Sequence, residues 1–375
     1  MGNQVRVLHI IQRMEAGGTQ ALLMNIYRKI DRTKLQFDFL VVYKENQFYD
    51  NEIKEMGGKV YKLSFREDLN LLKFQKDLAN FFEQHHEYQI VHCHAYTIGY
   101  FCLKAAMKAG IPTRIAHSHS NGVLHDIKYF PRLFMQRKFT KYATDLFACS
   151  EEAGKYLFKS QPFQILKNAI DSKQFIANAD IRKEIRAELG ISESFVLGHV
   201  GRLKPEKNHD FLLDVFSEIK KRKKEAELIL IGTGPLEEKI RNKISEMNLG
   251  NCVHLLGNRK DMSRVYQAMD IFVFPSLYEG LGIVAIEAQA AGIPIICSDK
   301  IPSEVNITPL YKKMSLDDSI ENWSKEIIKN SKNELRHKDT YQLIIKAGYE
   351  IEKVANNLEK FYLDSANNKE KEVVK

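Results

Sequence analysis

Short apolar runs rich in β-branched and aromatic residues alternate with amphipathic stretches of helical length along this chain of 375 residues. Strands that alternate with helices pair as parallel sheets joined by right-handed crossovers. The alternation occurs in two series, separated by a charged helix predicted over 181–189. The predicted strands cover 5–11, 37–43, 59–63, 90–93, 113–117, 146–149 and 163–166 in the first series, and 195–200, 227–231, 252–256, 271–274 and 293–297 in the second. The sequence therefore predicts two Rossmann-like α/β domains.

Length and composition agree with this organisation. The chain is longer than a single hydrophobic core usually spans, and 44% hydrophobic with 28% charged residues is an ordinary globular composition. No apolar run approaches the roughly 18 residues of a membrane span, and the chain enters a strand at once, without a signal segment. Its five dispersed cysteines are typical of buried free thiols. A cytoplasmic protein is expected.

Two glutamates eight positions apart, Glu279 and Glu287, flank the start of an Ala-rich helix that follows the predicted strand 271–274. A strand, a glycine-containing loop and a helix N-terminus offer free backbone N–H groups and a positive dipole end to a phosphate group. A carboxylate would repel that phosphate, but it accepts hydrogen bonds from hydroxyl groups, which a ribose or a hexose carries in number. The pair therefore predicts a sugar-nucleotide site.

A second phosphate signal follows the predicted strand 195–200, where Gly201, Arg202 and Lys207 share a loop. Ligands of open α/β sheets bind outside the carboxyl ends of the strands. The arginine fork and the lysine point charge suit a diphosphate, and they would stabilise the charge that develops on it as a leaving group. Two basic loop residues alone are more often merely solvated. Together with the glutamates, they favour a diphosphate site.

Four motifs occur together in this chain: Gly17-Gly18, Gly201-Arg202 with Glu206-Lys207-Asn208, Gly232-Thr233-Gly234-Pro235, and Glu279-x7-Glu287. This combination resembles the retaining GT-B glycosyltransferases of the large bacterial family 4, and the resemblance covers nearly the whole chain. Within that family the chain is most similar to the capsular and exopolysaccharide branch, judged by the segments 114–120 and 302–306.

The resemblance implies two Rossmann-like domains that face each other across a cleft, an acceptor-binding domain over 1–170 and a nucleotide-sugar-binding domain over 171–346. It also implies a final helix over 347–364 that crosses back to the first domain, while the polar tail 365–375 is predicted to be disordered. The implied reaction is retaining transfer of a hexose from a nucleotide diphosphate sugar, UDP being the expected nucleotide, to a lipid-linked oligosaccharide. The donor is a substrate, so no cofactor is expected.

The resemblance also assigns roles to single residues. Glu279 contacts the donor sugar and Glu287 accepts hydrogen bonds from the ribose. His117 is the histidine that contacts the donor sugar, with His119 as the alternative if the alignment shifts by two residues. The remaining nucleotide-sugar contacts are assigned to Gly17, Gly18, Gly201, Gly232, Asn258 and Arg259, and to the backbone N–H groups of Leu281, Gly282 and Ile283.

No metal ion is expected. Sugar-nucleotide enzymes of the other major architecture hold a divalent ion with a D-x-D carboxylate pair, which this sequence lacks. The pairs His92/His94 and His117/His119 have a spacing that places two side chains on one face of a strand, and together they could form a zinc site. We interpret them instead as strand-end residues near the cleft, because zinc sites usually also show cysteine or helical histidine spacing.

Other activities fit the motifs less well. A retaining glycosidase uses two carboxylates but needs no diphosphate site beside them. The segment Gly232-Thr233-Gly234-Pro235 lacks the third glycine and the distal acid of a dinucleotide site, which disfavours a dehydrogenase. Two alternatives stay open: a UDP-sugar epimerase on the same fold, and a nucleotide-sugar-binding partner subunit without activity.

The chain carries a formal net charge of +8 but no nucleic-acid recognition motif. Its basic–aromatic segment, residues 127–144, contains no acidic residue, and aromatic side chains are interleaved with the basic ones. The basic residues are Lys128, Arg132, Arg137, Lys138 and Lys141. If this segment forms a helix, its interleaved basic and aromatic side chains suit an anionic membrane surface. A helix with one core-facing and one solvated side is the equally compatible interpretation.

Overall fold

The computed structural model describes residues 4–65, 69–119, 138–331 and 339–373. Contacts divide the chain into two compact units. The first is formed by Met1–Asn168 with Ile351–Lys375, and the second by Ala169–Glu350. Each unit is built on one parallel β-sheet with helices between successive strands. The two parallel α/β sheets predicted from the alternating sequence pattern are therefore confirmed.

The first unit contains a seven-stranded parallel sheet in the order β3-β2-β1-β4-β5-β6-β7. Its strands are β1 (Val5–Ile10), β2 (Leu35–Val41), β3 (Val60–Lys62), β4 (Tyr88–Cys93), β5 (Thr113–Ser118), β6 (Asp145–Ala148) and β7 (Gln164–Ile165). The described helices between them are α1 (Gly18–Lys29), α2 (Asp50–Glu55), α3 (Leu71–Gln84), α4 (Tyr96–Lys108) and α5 (Glu151–Phe158). Helices cover both faces of such a sheet, which is why most residues of its central strands β1, β4 and β5 are buried.

The second unit contains a six-stranded parallel sheet in the order β10-β9-β8-β11-β12-β13. Its strands are β8 (Phe195–Val200), β9 (Ala226–Ile231), β10 (Val253–Leu255), β11 (Ile271–Phe274), β12 (Ile295–Ser298) and β13 (Tyr311–Met314). Its described helices are α6 (Ala179–Glu188), α7 (His209–Arg222), α8 (Glu237–Glu246), α9 (Met262–Ala268), α10 (Ile283–Ala290), α11 (Ile320–Ser331) and α12 (Thr340–Lys346). The sequence did not predict β13, because this edge strand is partly exposed and two of its four residues are lysines.

Both sheets share one winding pattern. The first strand of each sheet lies between the second strand on one side and the fourth on the other, so the strand order reverses between β1 and β4 and between β8 and β11. A crevice forms at the carboxyl ends of the strands at such a reversal point, and ligands of open α/β sheets bind there. The loops that follow β8 and β11 are therefore the expected ligand position in the second unit.

The last helix, α13 (Ile351–Val373), belongs to the first unit and packs against α1, β1 and β4. Its buried Tyr362 meets the rings of His9 and Phe37 edge-on. The sequence places this helix over 347–364 and predicts a disordered tail at 365–375, whereas the helix continues to Val373. The reason is that the tail contains lysine and glutamate, which are good helix formers, and no glycine or proline that would end the helix.

The surface and the interior give three further findings. No helix among the described residues combines the length and the apolar character that crossing a membrane requires. The five cysteines are buried and form no disulfide, as the sequence predicts. The basic–aromatic segment lies outside the described residues up to position 137; in its described part, Phe139 is buried while Lys138 and Lys141 are exposed.

Candidate active site

The loops that follow β8 and β11 are joined at the reversal point of the second sheet. The backbone N–H of Leu277 donates to the carbonyl oxygen of Glu206 over 2.8 Å. The side-chain amide of Asn208 donates to the carbonyl oxygen of Pro275 over 3.2 Å. Asn208 has a left-handed backbone, with φ of 56°, and the helix α7 begins directly after it. The two loops that the sequence marks as phosphate signals, about 70 positions apart, thus lie side by side in the fold.

Lys207 and Glu279 form an ion pair across these two loops. Lys207 Nζ lies 2.5 Å from Glu279 Oε1, and the side chains are only 16% and 12% exposed. The ammonium group also lies 5.0 Å from the ring centroid of Phe274, within the range of a cation–π interaction. A Cβ atom at position 201 would lie 3.0 Å from the Lys207 side chain, so Gly201 leaves room for this lysine. The ammonium has three donors, and the carboxylate occupies one of them.

Arg202 differs from Lys207 in being exposed, and no ion pair or hydrogen bond of its guanidinium to another described residue is found. It follows β8 directly, on the same loop as Lys207. Arginine carries five N–H donors, and a guanidinium without a partner among the described residues is ready to bind an anion in bidentate fashion. The loop therefore offers the guanidinium of Arg202 without a partner among the described residues and the ammonium of Lys207 paired with a carboxylate.

The helix α10 begins beside this ion pair without a polar cap. Gly282 precedes its first residue with φ of 87°, no side chain caps the helix, and no acidic residue lies in its first turn. A Cβ atom at position 282 would lie 3.0 Å from the Phe274 ring and 3.7 Å from Glu279 Cγ, which together with the positive φ requires glycine. Leu281 and Ile283 are buried. Backbone N–H groups at a helix start of this kind are suited to binding an anion.

Glu287 lies in the second turn of α10 and accepts a hydrogen bond of 2.9 Å from the hydroxyl of the buried Tyr266. Burial raises the pKa of Glu287 from 4.5 to about 7, and the Tyr266 hydrogen bond opposes that rise. The carboxyl is thus held close to the protein interior with a single hydrogen-bond partner among the described residues. An ionised carboxylate accepts several hydrogen bonds, so this group has the capacity to bind neighbouring hydroxyl groups.

The ends of β8, β9 and β10 meet at Gly232. This residue has φ of 131°, and a Cβ atom on it would lie 2.2 Å from the carbonyl oxygen of Gly201. Its N–H donates to the carbonyl oxygen of Gly257 over 2.8 Å. The next residue in the chain after Gly257, Asn258, is partly buried. Arg259 is held by Asp261 through two hydrogen bonds of 2.7 and 2.8 Å, so this guanidinium is engaged in the ligand-free protein.

The first unit contains the remaining predicted residues. Gly17 caps the start of α1 in extended conformation, with φ of −175°, and Gly18 begins the helix. At position 17 a Cβ atom would meet only the flexible side chain of Gln20, so the backbone there does not demand glycine. His117 ends up fully buried at the carboxyl end of β5, where its Nδ1 lies 3.0 Å from His92 Nε2. The structure therefore places Gly17, Gly18 and His117 in a different unit from Arg202.

Five histidines and one tyrosine form a cluster, the histidine cluster, at the carboxyl ends of β1, β4 and β5, and all but the partly buried His119 are buried. Its members are His9, His92, His94, His117, His119 and Tyr362. Desolvation lowers the pKa of every one of these histidines, to about 3 for His9 and His119. The rings are therefore neutral at physiological pH.

Sequence reasoning identified four of these histidines but missed His9 and Tyr362. His9 pairs in register with His92 on the neighbouring strand, and an isolated histidine in an apolar strand gives no signal of that pairing. Tyr362 lies 270 positions from His92. In the second unit, the sequence likewise gave no indication that Tyr266 would contact Glu287.

Comparisons with known proteins agree along the whole chain. Residues 16–174 match the model of the family described as Glycosyltransferase Family 4, and residues 181–366 match the one described as Glycosyl transferases group 1. The putative glycosyltransferase EpsF of Bacillus subtilis is 35% identical over 336 residues, which cover 87% of each chain. An Escherichia coli protein is 24% identical over 79% of this chain and 80% of its own length; its name is UDP-Gal:alpha-D-GlcNAc-diphosphoundecaprenol alpha-1,3-galactosyltransferase.

Solved structures resemble the protein in fold. The crystal structure of Anabaena HepE in complex with UDP and glucose matches with a TM-score of 0.78 at 16% identity, over 96% of this chain and 99% of that one. The structure of WaaG, a glycosyltransferase involved in lipopolysaccharide biosynthesis, matches with a TM-score of 0.74 at 15% identity, over 95% and 99% of the two chains.

Proposed function

Since the chain belongs to glycosyltransferase family 4 and is therefore a glycosyltransferase, we propose that it transfers a hexose, with retention, from a UDP-sugar to a lipid-linked oligosaccharide in capsular or exopolysaccharide biosynthesis. The fold is the GT-B fold that the resemblance implied. One observation carries the proposal: Arg202, Lys207 and the uncapped start of α10 lie on two loops that are hydrogen-bonded to each other at the reversal point of the second sheet.

The proposed catalytic role of this element is to stabilise the leaving UDP. Negative charge develops on the diphosphate as the bond to the sugar breaks, and preorganised donors lower the energy of that state. Arg202 supplies an unengaged guanidinium, and the α10 start supplies N–H groups. Lys207 supplies the third donor set, with Glu279 holding its ammonium in place before the donor binds.

The Lys207–Glu279 ion pair suggests how the two glutamates divide their roles. Glu279 contacts Lys207 in the ligand-free protein. When a diphosphate takes over the ammonium group, the Glu279 carboxylate becomes free to accept hydrogen bonds from the hydroxyl groups of the donor sugar. Glu287 lies deeper in the unit, beside Tyr266, and is assigned to the ribose. Asn258, Arg259 and Gly232 are assigned to the nucleobase side.

The choice of UDP and of a lipid-linked acceptor is supported by the relatives. The E. coli relative is named for transfer from UDP-Gal to a diphosphoundecaprenol-linked sugar, and HepE was solved with UDP and glucose. A lipid-linked acceptor requires the enzyme to work at a membrane surface, so we place it at the cytoplasmic face of the cell membrane. The basic–aromatic segment would supply electrostatic attraction to anionic lipids.

The proposal is tested by donor binding and by turnover. UDP-, GDP- and ADP-sugars are compared by thermal shift, because a ligand at 100 times its dissociation constant stabilises by about 2.7 kcal/mol. Arg202→Ala and Lys207→Ala should then reduce turnover by roughly 10² to 10³, the usual effect of removing one preorganised donor. Lys221→Ala, which removes an exposed lysine of the same unit, serves as the control and should be unchanged.

The same assay separates the alternatives. An epimerase would convert the UDP-sugar into its epimer without any acceptor, and a non-catalytic subunit would bind UDP without consuming the donor. Normal turnover in both Arg202→Ala and Lys207→Ala would remove these two side chains from the mechanism. Stabilisation by GDP- or ADP-sugars but not by UDP-sugars would overturn the assignment of the donor.

A further inference from the structure

The histidine cluster contains a set of ligand atoms with the spacing of a metal site. His94, His117 and His119 each offer a ring nitrogen, and these nitrogens lie within 4.8 Å of one another. We propose that these three side chains bind a divalent transition-metal ion of the zinc class, at a site separate from the proposed diphosphate site of Arg202, Lys207 and the α10 start in the second unit. Three imidazoles plus one exchangeable position form a common coordination set of zinc in proteins.

The cluster leaves the Nε2 atom of His117 without a partner among the described residues and brings two further ring nitrogens, from His94 and His119, together in a hydrogen bond that a metal ion would replace. His117 Nε2 is fully buried and has no hydrogen-bond partner among the described residues, while its Nδ1 lies 3.0 Å from His92 Nε2. His94 Nδ1 faces His119 Nε2 over 2.8 Å, and its other nitrogen, Nε2, lies 3.1 Å from His9 Nδ1. A buried polar nitrogen without a partner is costly, and a metal bound to His117 Nε2 would remove that cost.

The rings outside the metal set accept the second N–H of two of the three ligands, His117 and His94. If His117 binds through Nε2 and His94 through Nδ1, each must carry its proton on the opposite nitrogen. Those protons are then donated to His92 Nε2 and His9 Nδ1, and His92 in turn donates from Nδ1 to the hydroxyl of Tyr362. Metal-bound histidines almost always donate their second N–H in this way, which fixes the tautomer and the ring orientation.

Ligand spacing and exposure favour His94, His117 and His119 over a second possible trio, His9, His92 and His94. Tetrahedral zinc with bonds of about 2.0–2.1 Å separates its ligand nitrogens by about 3.4 Å, so His94 and His119, now 2.8 Å apart, need to open by only about half an ångström. The neighbouring trio His9, His92 and His94 has similar spacing, but His9 and His92 are fully enclosed. His119, in contrast, is only partly buried.

Metal binding has a consequence that rests on the proposed function. His117 is the residue assigned to the donor sugar, and its Nε2 cannot bind a metal ion and a sugar hydroxyl at the same time. Zinc should therefore inhibit sugar transfer, and a chelator should restore it fully. The binding itself does not depend on that function, so a failure of either can be recognised separately.

The test is direct metal binding by the untagged, chelator-treated full-length protein. Zn²⁺ is titrated in competition with a chromophoric chelator, and Co²⁺ is added in parallel because tetrahedral Co²⁺ gives intense visible absorption. We expect one ion per chain and a cobalt spectrum of tetrahedral type. His94→Gln and His119→Gln should each weaken zinc binding on the order of 100-fold. Loss of a residue that only hydrogen-bonds to a metal ligand costs about 10- to 100-fold in affinity, and loss of a ligand itself should cost at least the upper value.

Control measurements distinguish loss of metal binding from loss of folding in these variants. His86→Gln removes an exposed histidine of the same unit and should bind zinc like the parent. UDP binding by the second unit and the far-UV circular dichroism spectrum show whether each variant is folded. Absence of stoichiometric Zn²⁺ binding by the parent at micromolar concentration would overturn the proposal. Parent-like Zn²⁺ binding by folded His94→Gln and His119→Gln would do the same.

Discussion

Glu287 is expected to make the stability of the second unit depend on pH. The fold raises the pKa of this carboxyl from 4.5 to about 7, mainly by desolvation. A raised pKa means that the folded state favours the neutral carboxyl. That contribution is fully present below about pH 4.5 and is lost as the pH rises through about 7. The difference between the two pKa values corresponds to a cost of about 3 kcal/mol for the ionised form.

Glu287→Gln replaces the carboxyl by a neutral group of the same shape, which still accepts the Tyr266 hydrogen bond. The free energy of unfolding of this variant relative to the parent should therefore increase by about 3 kcal/mol between about pH 4 and about pH 8. Urea unfolding measures this through the single tryptophan, Trp323, which is buried in the second unit. Glu246→Gln, at an exposed position, should show no such trend.

The same variant separates stability from ligand binding. An ionised carboxylate accepts hydrogen bonds from ribose hydroxyl groups better than an amide that presents one acceptor, so Glu287→Gln should bind UDP more weakly than the parent at about pH 8 even though it is more stable there. A variant that gains stability cannot owe its loss of affinity to misfolding. Equal stability differences at both pH values would refute the desolvation argument, and unchanged UDP affinity would remove Glu287 from the nucleotide site.

Three further outcomes are expected. Gly232→Ala should lower the urea midpoint and cost roughly 1–3 kcal/mol or more, because φ of 131° and a 2.2 Å approach to a carbonyl oxygen exclude a side chain; Gly250→Ala, with open space around it, should be close to neutral. Transfer activity should survive EDTA and gain nothing from magnesium or manganese, and loss of activity restored by zinc would contradict this. Changing Arg132, Arg137, Lys138 and Lys141 to Gln should abolish sedimentation with phosphatidylglycerol vesicles at low salt while leaving UDP binding intact, since each basic residue contributes about 1 kcal/mol near the surface; continued pelleting would assign the segment to an ordinary helix.

The sequence by itself determined the two parallel sheets and the loops on which the proposed diphosphate site lies. Alternation of apolar runs with amphipathic stretches is a local property, and each predicted strand needs only its own residues to be recognised. The predicted limits of β8 and β11 agree with the structure to the residue. Two features were harder to predict from local sequence. The strand β13 has no apolar run, and the end of the helix α13 depends on the absence of any residue that would stop a helix.

Only the tertiary structure decided which side chains meet. Lys207 and Glu279 are 72 positions apart and pair because β8 and β11 become neighbours where the strand order reverses. Glu287 acquires its raised pKa from burial in the folded second unit, and the histidine cluster is completed by His9 and by Tyr362 of the last helix. Burial, register and strand order are properties of the assembled sheets. For this reason local sequence patterns can locate the loops of a site, while the charge states and contacts within it follow from the fold.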